Sequence, residues 1–191
     1  MIAARVGAGV ALIAALALVP AAARAQDEDL AGRFSHLHYE MAGGLMAGVG
    51  PQGVTLRRGP FGSFNVHGES ALGMEVGVEA AYAGSADIFH THFSSLGAIA
   101  RLSPVPEDYR AYVQLGAAAY HISYHSDTAG LTAPGSTTRP GGSFGLGLEL
   151  IDTSNFSLGG LVTYNGVVIN GNTARSYLVG ALTVTFKPSA Y

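Results

Sequence analysis

Cysteine is absent from this 191-residue chain, and charged residues are scarce. A chain without cysteine has no disulfide bonds, which excludes a small secreted fold that depends on them. Lysine and arginine number 10 against 13 acidic residues, and the net charge of −3 offers no basic patch for nucleic acid. Beyond the N-terminal segment, no apolar run approaches the roughly eighteen residues that a transmembrane helix needs. A protein built on spanning helices is therefore excluded as well.

Residues 1–25 have the features of a secretory signal peptide. Arg5 is the only charge in a short leading region, Val10–Ala23 is almost wholly apolar, and Ala23-Arg24-Ala25 forms a small–x–small cleavage pattern. We predict that this segment is removed on export and that residues 26–33 form a polar lead-in to a single domain of residues 34–191. The alternative is an N-terminal membrane anchor, which is less favoured because the run is short and Pro20 interrupts it.

Residues 71–82 show the clearest pattern in the chain, a strict alternation between two faces. One face carries large apolar side chains, and the other carries glycine and alanine together with Glu75 and Glu79. A period of two predicts a β-strand rather than a helix. Small residues beside charge indicate a crowded, wet interior, which turns the apolar face toward lipid.

Seven further segments alternate in a similar way. The eight predicted strands are residues 37–49, 61–67, 71–82, 93–102, 110–120, 144–150, 156–164 and 177–186. Because every backbone polar group must be paired inside a bilayer, strands can cross it only as a closed barrel. The sequence predicts an all-β, eight-stranded antiparallel up-and-down transmembrane β-barrel with its short turns in the periplasm. The rival architecture is a soluble exported barrel or sandwich with the apolar faces inward.

Taken together, these features resemble the small eight-stranded bacterial outer-membrane barrels of the OmpA-type/OmpX-type group. The resemblance is carried by the signal peptide, the AGGLMAGVG and GMEVGVEAAY strands, the LSPVP turn followed by AYVQLGAAAY, and a last strand ending at Phe186. It implies a location in the cell outer membrane, contact with outer-membrane lipids and folding by the barrel assembly machinery. Either Phe186 or Tyr191 would be the terminal aromatic residue that this machinery reads. We further expect a monomer without cofactor or nucleic-acid partner.

The first candidate site is a set of charged residues on the inward faces. Its members are Glu40, Glu75, Glu79, Arg101 and Glu149. Buried charges must be paired or hydrated, so one interpretation is a fixed network of salt bridges and water that fills the barrel. The other is a gate, in which Arg101 pairs with different glutamates and sets a narrow, cation-preferring path. The first is favoured because an eight-stranded barrel is just wide enough for side chains to fill.

The second candidate site is a group of histidines at the outer ends of the fourth and fifth predicted strands: His90, His92, His121 and His125. Imidazoles so spaced could bind a transition metal or sense pH. No cysteine or evident carboxylate completes a ligand set, apart from Asp87 and Asp127. We therefore interpret them as rim histidines at the level of the lipid headgroups, and we predict no metal site.

A third pattern, His121-Ile122-Ser123 and again His125-Ser126-Asp127, resembles the site of outer-membrane lipid A deacylases. Such a site needs a carboxylate to orient the histidine, and no outward-facing one is evident. We therefore expect a non-enzymatic protein with a structural or adhesive role, acting through loops 50–60 and 123–142. The alternatives are a narrow pore for ions or small solutes, a lipid-modifying enzyme and a soluble exported binding protein.

Overall fold

The structure, a computed structural model, describes residues 37–49, 58–69, 74–86, 90–103, 111–124, 135–170 and 173–188. They form eight strands: β1 (Leu37–Val49), β2 (Gly59–Glu69), β3 (Glu75–Gly84), β4 (His92–Leu102), β5 (Ala111–Tyr124), β6 (Gly135–Asp152), β7 (Phe156–Asn170) and β8 (Thr173–Phe186). Each strand pairs antiparallel with the next, and β8 pairs with β1 to close the barrel. The predicted fold class is confirmed. Within the described residues, no helix is long and apolar enough to cross a membrane.

Several sequence-based expectations lie outside the described residues. They are the signal peptide of residues 1–25, the lead-in of residues 26–33, most of the 50–60 loop, the start of the third predicted strand at residues 71–73, His125 and Tyr191. These remain predictions.

The outward side of the barrel is apolar, as the alternation predicts. Leu182 on β8 is 72% exposed and Leu45 on β1 is 63% exposed, whereas Glu40 on the opposite face of β1 is only 2% exposed. The same alternation holds on β3, where Val78 points out and Glu75 and Glu79 point in. A soluble barrel with its Leu, Val and Phe faces inward is therefore not the architecture of this chain.

Strand lengths differ around the barrel, and here the sequence-based prediction needs correction. The bounds of β1 are those predicted, but β5, β6, β7 and β8 continue well into the segments predicted as the 123–142 and 165–174 loops. The β5–β6 ladder reaches Tyr124 opposite Gly135, and the β7–β8 ladder reaches Asn170 opposite Thr173. Glycine, serine, threonine and proline suggested loops by composition, yet an antiparallel partner on either side lets such residues remain in a strand.

A β-bulge interrupts the β6–β7 pairing between Glu149 and Ile151. An extra residue in one strand reverses the inside–outside alternation beyond it. As a result, Leu150 and Ile151 are consecutive in sequence and both are exposed on the outer side. The bulge keeps this apolar pair outside the barrel while Glu149 stays on the inner face.

Two ends of the barrel are distinguished by the chain. We call the end where β1 begins and β8 ends the terminal mouth, and the opposite end the distal mouth. The inner side chains of the distal half form an apolar cluster that includes Met46, Phe93, Ile122 and Val167. The inner side chains of the terminal half are polar or charged, among them Glu40, and the candidate site lies there.

Candidate functional site

Arg101 and Glu40 form an ion pair at the centre of the terminal half. Arg101 on β4 donates from Nη1 to Glu40 Oε2 at 2.8 Å and from Nη2 to Glu40 Oε1 at 2.6 Å, so the pair is bidentate. Their side chains are 4% and 2% exposed. A pair this deeply buried needs its remaining polar atoms satisfied, because desolvation otherwise exceeds the Coulombic gain.

Neighbouring strands supply those partners. Asn65 Nδ2 on β2 and Thr185 Oγ1 on β8 both donate to the Glu40 carboxylate, at 2.9 and 3.0 Å. Arg101 Nε donates to Gln114 Oε1 on β5 at 2.9 Å. The Tyr112 ring lies 4.6 Å from Arg101 Cζ and covers one side of the guanidinium. Four strands besides β1 therefore fix the pair in one arrangement.

The five charged residues predicted from the sequence do not act as one set. Glu79 lies on the inner face near Arg101 and Gln114 without forming an ion pair with the arginine. Glu149 accepts from Ser157 Oγ at 3.3 Å and lies 3.6 Å from Lys187 Nζ at the terminal mouth. All five lie on inner faces of the strands, but only Glu40 holds the arginine in a bidentate pair.

Glu75 joins two histidines that sequence reasoning missed. His67 Nδ1 lies 3.2 Å from Glu75 Oε2, and His38 Nδ1 lies 3.4 Å from Glu75 Oε1. The two imidazole rings meet edge to face with centroids 5.3 Å apart. The inward parity of His38 on β1 and His67 on β2 was visible in the alternation. Their proximity depends on the register that places His38 opposite His67.

Packed side chains fill the described part of the interior on the distal side of this charged set. In the distal half the rings of Phe93 and Tyr177 lie 5.0 Å apart, and both residues are almost fully buried. A cavity of about 10 Å³ lies between Glu79, Tyr120 and Ser143, which is the room that a single water needs. The described part of the barrel therefore contains an apolar layer across its distal half and a charged layer across its terminal half.

Of the histidines predicted near the distal mouth, His92 and His121 lie on the outer face of the barrel and not in the lumen. His92 Nδ1 is 2.7 Å from the Tyr82 hydroxyl, and His121 Nδ1 is 3.1 Å from Thr138 Oγ1. His90 is exposed and has a positive φ of 41°. Among the residues that the structure describes, these histidines do not form a three-ligand group; the one group that does is His38, His67 and Glu75.

The histidine–serine pattern has no completed catalytic arrangement in the described residues. His121 is exposed on the outer face and its Nδ1 faces a threonine hydroxyl, while Ile122 is buried inside. The outward side chains beside His121 on β4 and β6 are Ser94 and Thr138. Neither is a carboxylate, so the group that would orient a catalytic histidine is missing from these positions.

Comparison with solved structures identifies the fold. The N-terminal β-barrel domain of Pseudomonas aeruginosa OprF is 18% identical, with a TM-score of 0.50 over 79% of this chain and 97% of that domain. Neisserial surface protein A (NspA) is 16% identical, with a TM-score of 0.58 over 80% of this chain and 96% of that chain. Ail, the attachment invasion locus protein of Yersinia pestis, is 13% identical, with a TM-score of 0.44 over 80% of this chain and 97% of that chain.

Sequence comparison finds no match: no protein-family model matches the chain, and no curated protein matches it. The structural likeness, at this identity, shows the fold alone. The chain has the fold of the small eight-stranded outer-membrane barrels, as the sequence resemblance implied.

Proposed function

We propose that this protein is a non-enzymatic outer-membrane barrel that interacts with other molecules through its distal surface. The observation that carries the proposal is the unequal height of the barrel wall. Strands β2, β3 and β4 are 10 or 11 residues long, whereas β5 to β8 are 14 to 18 residues long. A tilted strand needs about 9–11 residues to cross the bilayer, so the longer strands continue beyond it.

Part of the extra length lies at the distal end. Opposite the last residues of β5, the first part of β6 carries the exposed polar side chains Ser136, Thr138 and Arg139. At this end the strands remain paired by backbone hydrogen bonds and expose polar side chains, unlike the apolar band that faces the lipid. We call this part of the barrel the distal wall. In the orientation typical of these barrels, the chain ends lie in the periplasm and this wall lies outside the cell. NspA, whose name describes it as a surface protein, has the same fold.

A narrow pore is less well supported. Its path would have to cross both the buried Arg101–Glu40 layer and the apolar layer around Phe93. A role as a lipid-modifying enzyme is also less well supported, because neither residue beside His121 on the neighbouring strands is a carboxylate that could orient a catalytic histidine. The packed interior leaves the distal surface, the lipid-facing band and the terminal mouth as the sites at which this protein can contact other molecules.

The orientation can be tested by cysteine labelling, because the chain contains no cysteine. Ser136→Cys lies on the distal wall, and Ser154→Cys lies in the exposed β6–β7 connection at the terminal mouth. A membrane-impermeant maleimide should label Ser136→Cys on intact cells and label Ser154→Cys only after the outer membrane is permeabilised. The reverse pattern would place the distal wall in the periplasm and contradict the proposal.

The adhesive role requires a second measurement on the same cells. Cells producing the protein should bind immobilised laminin, fibronectin or collagen, or cultured epithelial cells, more than cells producing a variant without residues 125–138. The variant must still show the folded, heat-modifiable band on electrophoresis and the same surface level. Equal attachment by the two strains on all these substrates would contradict the adhesive role while leaving the orientation intact.

A further inference from the structure

The group formed by His38, His67 and Glu75 lies at the terminal mouth and takes no part in the proposed distal role. Three adjacent strands supply it: His38 is the second residue of β1, His67 lies directly opposite on β2, and Glu75 is the first residue of β3. All three side chains face the interior. The ion pair of Arg101 and Glu40 lies behind them and closes the barrel on that side.

The spacing of the donor atoms fits a transition metal. Zinc bonds to nitrogen and oxygen of about 2.0–2.2 Å place the ligand atoms of a tetrahedral site roughly 3.3–3.6 Å apart. Glu75 Oε2 lies 3.2 Å from His67 Nδ1 and Glu75 Oε1 lies 3.4 Å from His38 Nδ1, so each histidine is close to that spacing from one of the two carboxylate oxygens. One ligand atom from each of the three residues lies within 4.8 Å of the other two. A small movement of His38 would complete the triangle.

The state of the His67 ring is a second, independent indication. The His67 side chain is only 2% exposed, yet its Nδ1 atom has no hydrogen-bond partner despite the nearby Glu75 carboxylate. The contact between them is close in distance but wrong in direction for a hydrogen bond. Buried polar atoms are normally satisfied. A buried imidazole nitrogen that faces a carboxylate and a second imidazole is suited to a cation placed among them.

Access to the group is graded in a way that suits entry from the terminal mouth. The Glu75 side chain is 35% exposed and the His38 side chain is 18% exposed, so both reach solvent, whereas His67 lies deepest. Gly77, directly opposite His67 on β3, makes room for it: a Cβ at this position would lie 2.6 Å from His67 Cβ. A cation can therefore reach the group without opening the barrel.

We propose that His38, His67 and Glu75 bind Zn²⁺ or a similar divalent transition metal, with water completing the coordination. Imidazole and carboxylate together favour such ions over Mg²⁺ and Ca²⁺, which prefer all-oxygen ligands. Three ligands from β1, β2 and β3 would tie the first strands of the barrel together at the terminal mouth.

Arg101 limits how tightly the site can bind. Its Nη1 contacts His67 Nε2 at 3.2 Å, and because a guanidinium only donates, the metal-free ring holds its proton on Nδ1. A metal on Nδ1 requires the tautomer with the proton on Nε2, so Arg101 must withdraw from that nitrogen while keeping its bonds to Glu40. Metal binding and the contact with Arg101 therefore require different tautomers of the His67 ring, so the two compete.

The test is a zinc titration of the full exported chain, purified from outer membranes in detergent without a polyhistidine tag and measured by competition with a chromophoric chelator. The wild type should bind one Zn²⁺, and Co²⁺ should give the visible absorption bands of a tetrahedral site. His38→Ala and Glu75→Gln should each weaken zinc binding at least about tenfold. Mg²⁺ should not compete.

The matched control is His121→Ala, which removes a histidine on the outer face near the distal mouth and should leave zinc binding unchanged. Each variant must first show the folded, heat-modifiable band on electrophoresis. His38 and Glu75 are partly exposed, so their substitution is compatible with folding. Binding that persists in folded His38→Ala and Glu75→Gln, or that is lost only in His121→Ala, would overturn the proposal, as would no binding by the wild type.

Discussion

At the scale of residues, the stability of the barrel interior depends on the ion pair between Arg101 and Glu40. Five strands converge on it through Asn65, Gln114 and Thr185 as well as the two charged residues. A buried pair of this kind contributes less than its hydrogen bonds suggest, because both ions lose their hydration. Removing only one of the two residues is nevertheless strongly destabilising, since the remaining ion stays buried without a partner.

We therefore expect Glu40→Gln to lower the free energy of unfolding by about 3–5 kcal/mol. The double variant Glu40→Gln/Arg101→Met removes both charges and should recover most of that loss. Urea titration in lipid vesicles, followed by far-UV circular dichroism because the chain has no tryptophan, measures both. A double variant less stable than Glu40→Gln alone would show that Arg101 stabilises the barrel independently of Glu40.

At the scale of residues, the sequence indicates which face of the barrel a side chain lies on, but not which side chains it contacts. Alternation was enough to place Glu40, Glu75 and Arg101 on the inner face. It could not say that Glu75 contacts histidines from two other strands, because that depends on the stagger between strands. The histidines near the distal mouth form two pairs that are close in sequence, which makes such a group easy to predict. His38 and His67 are far apart in sequence and come into contact only through the β1–β2 register.

At the scale of strands, glycine on the inner face makes room for the charged layer. Gly147 on β6 lies opposite Tyr112 on β5, and a Cβ at this position would lie 2.0 Å from Tyr112 Cζ. That ring in turn covers Arg101. Gly43 on β1 provides the contrast, since it faces outward and a Cβ there meets nothing within 4 Å. The two glycines differ in what a side chain at each position would meet.

We expect Gly147→Ala to lower the free energy of unfolding by about 1–3 kcal/mol, because the added methyl group must displace a buried ring. Gly43→Ala should be neutral or slightly stabilising, because alanine restricts the unfolded chain without meeting any neighbour in the folded one. The same urea titration compares the two variants. Equal effects would show that loss of glycine flexibility, not the contact with Tyr112, determines the outcome.

Strand ends were the least predictable feature at this scale. The alternating runs located all eight strands, and the bounds of β1 were predicted correctly. The last residues of β5 and the distal half of β6 fall in the segment 123–142, for which turn-forming residues such as Pro140, Gly141 and Gly142 predict a loop. Local composition could not show that two long neighbours would continue the ladder past them. Because the strands were predicted to end too early, the sequence alone did not indicate the distal wall on which the proposed function depends.

For the whole molecule, the two faces of the barrel account for most of its properties. The outer face is an apolar band suited to lipid, and the inner face is filled by an apolar layer and a charged layer in series. An eight-stranded barrel has little interior to spare, and this one contains a described cavity with room for about one water. Molecular contacts are thereby directed to the distal wall and the terminal mouth.

The filled interior predicts that the barrel does not conduct. In a planar lipid bilayer, the refolded protein should give no steady current, with a large porin in the same membrane as the positive control. Arg101→Ala should also remain silent, because the apolar layer formed by Phe93, Tyr177 and Met46 still lies across the distal half. If the arginine were a gate, its removal would open a path, and a steady cation-selective current in Arg101→Ala alone would establish that role. Current through the wild type would contradict the packing of both layers.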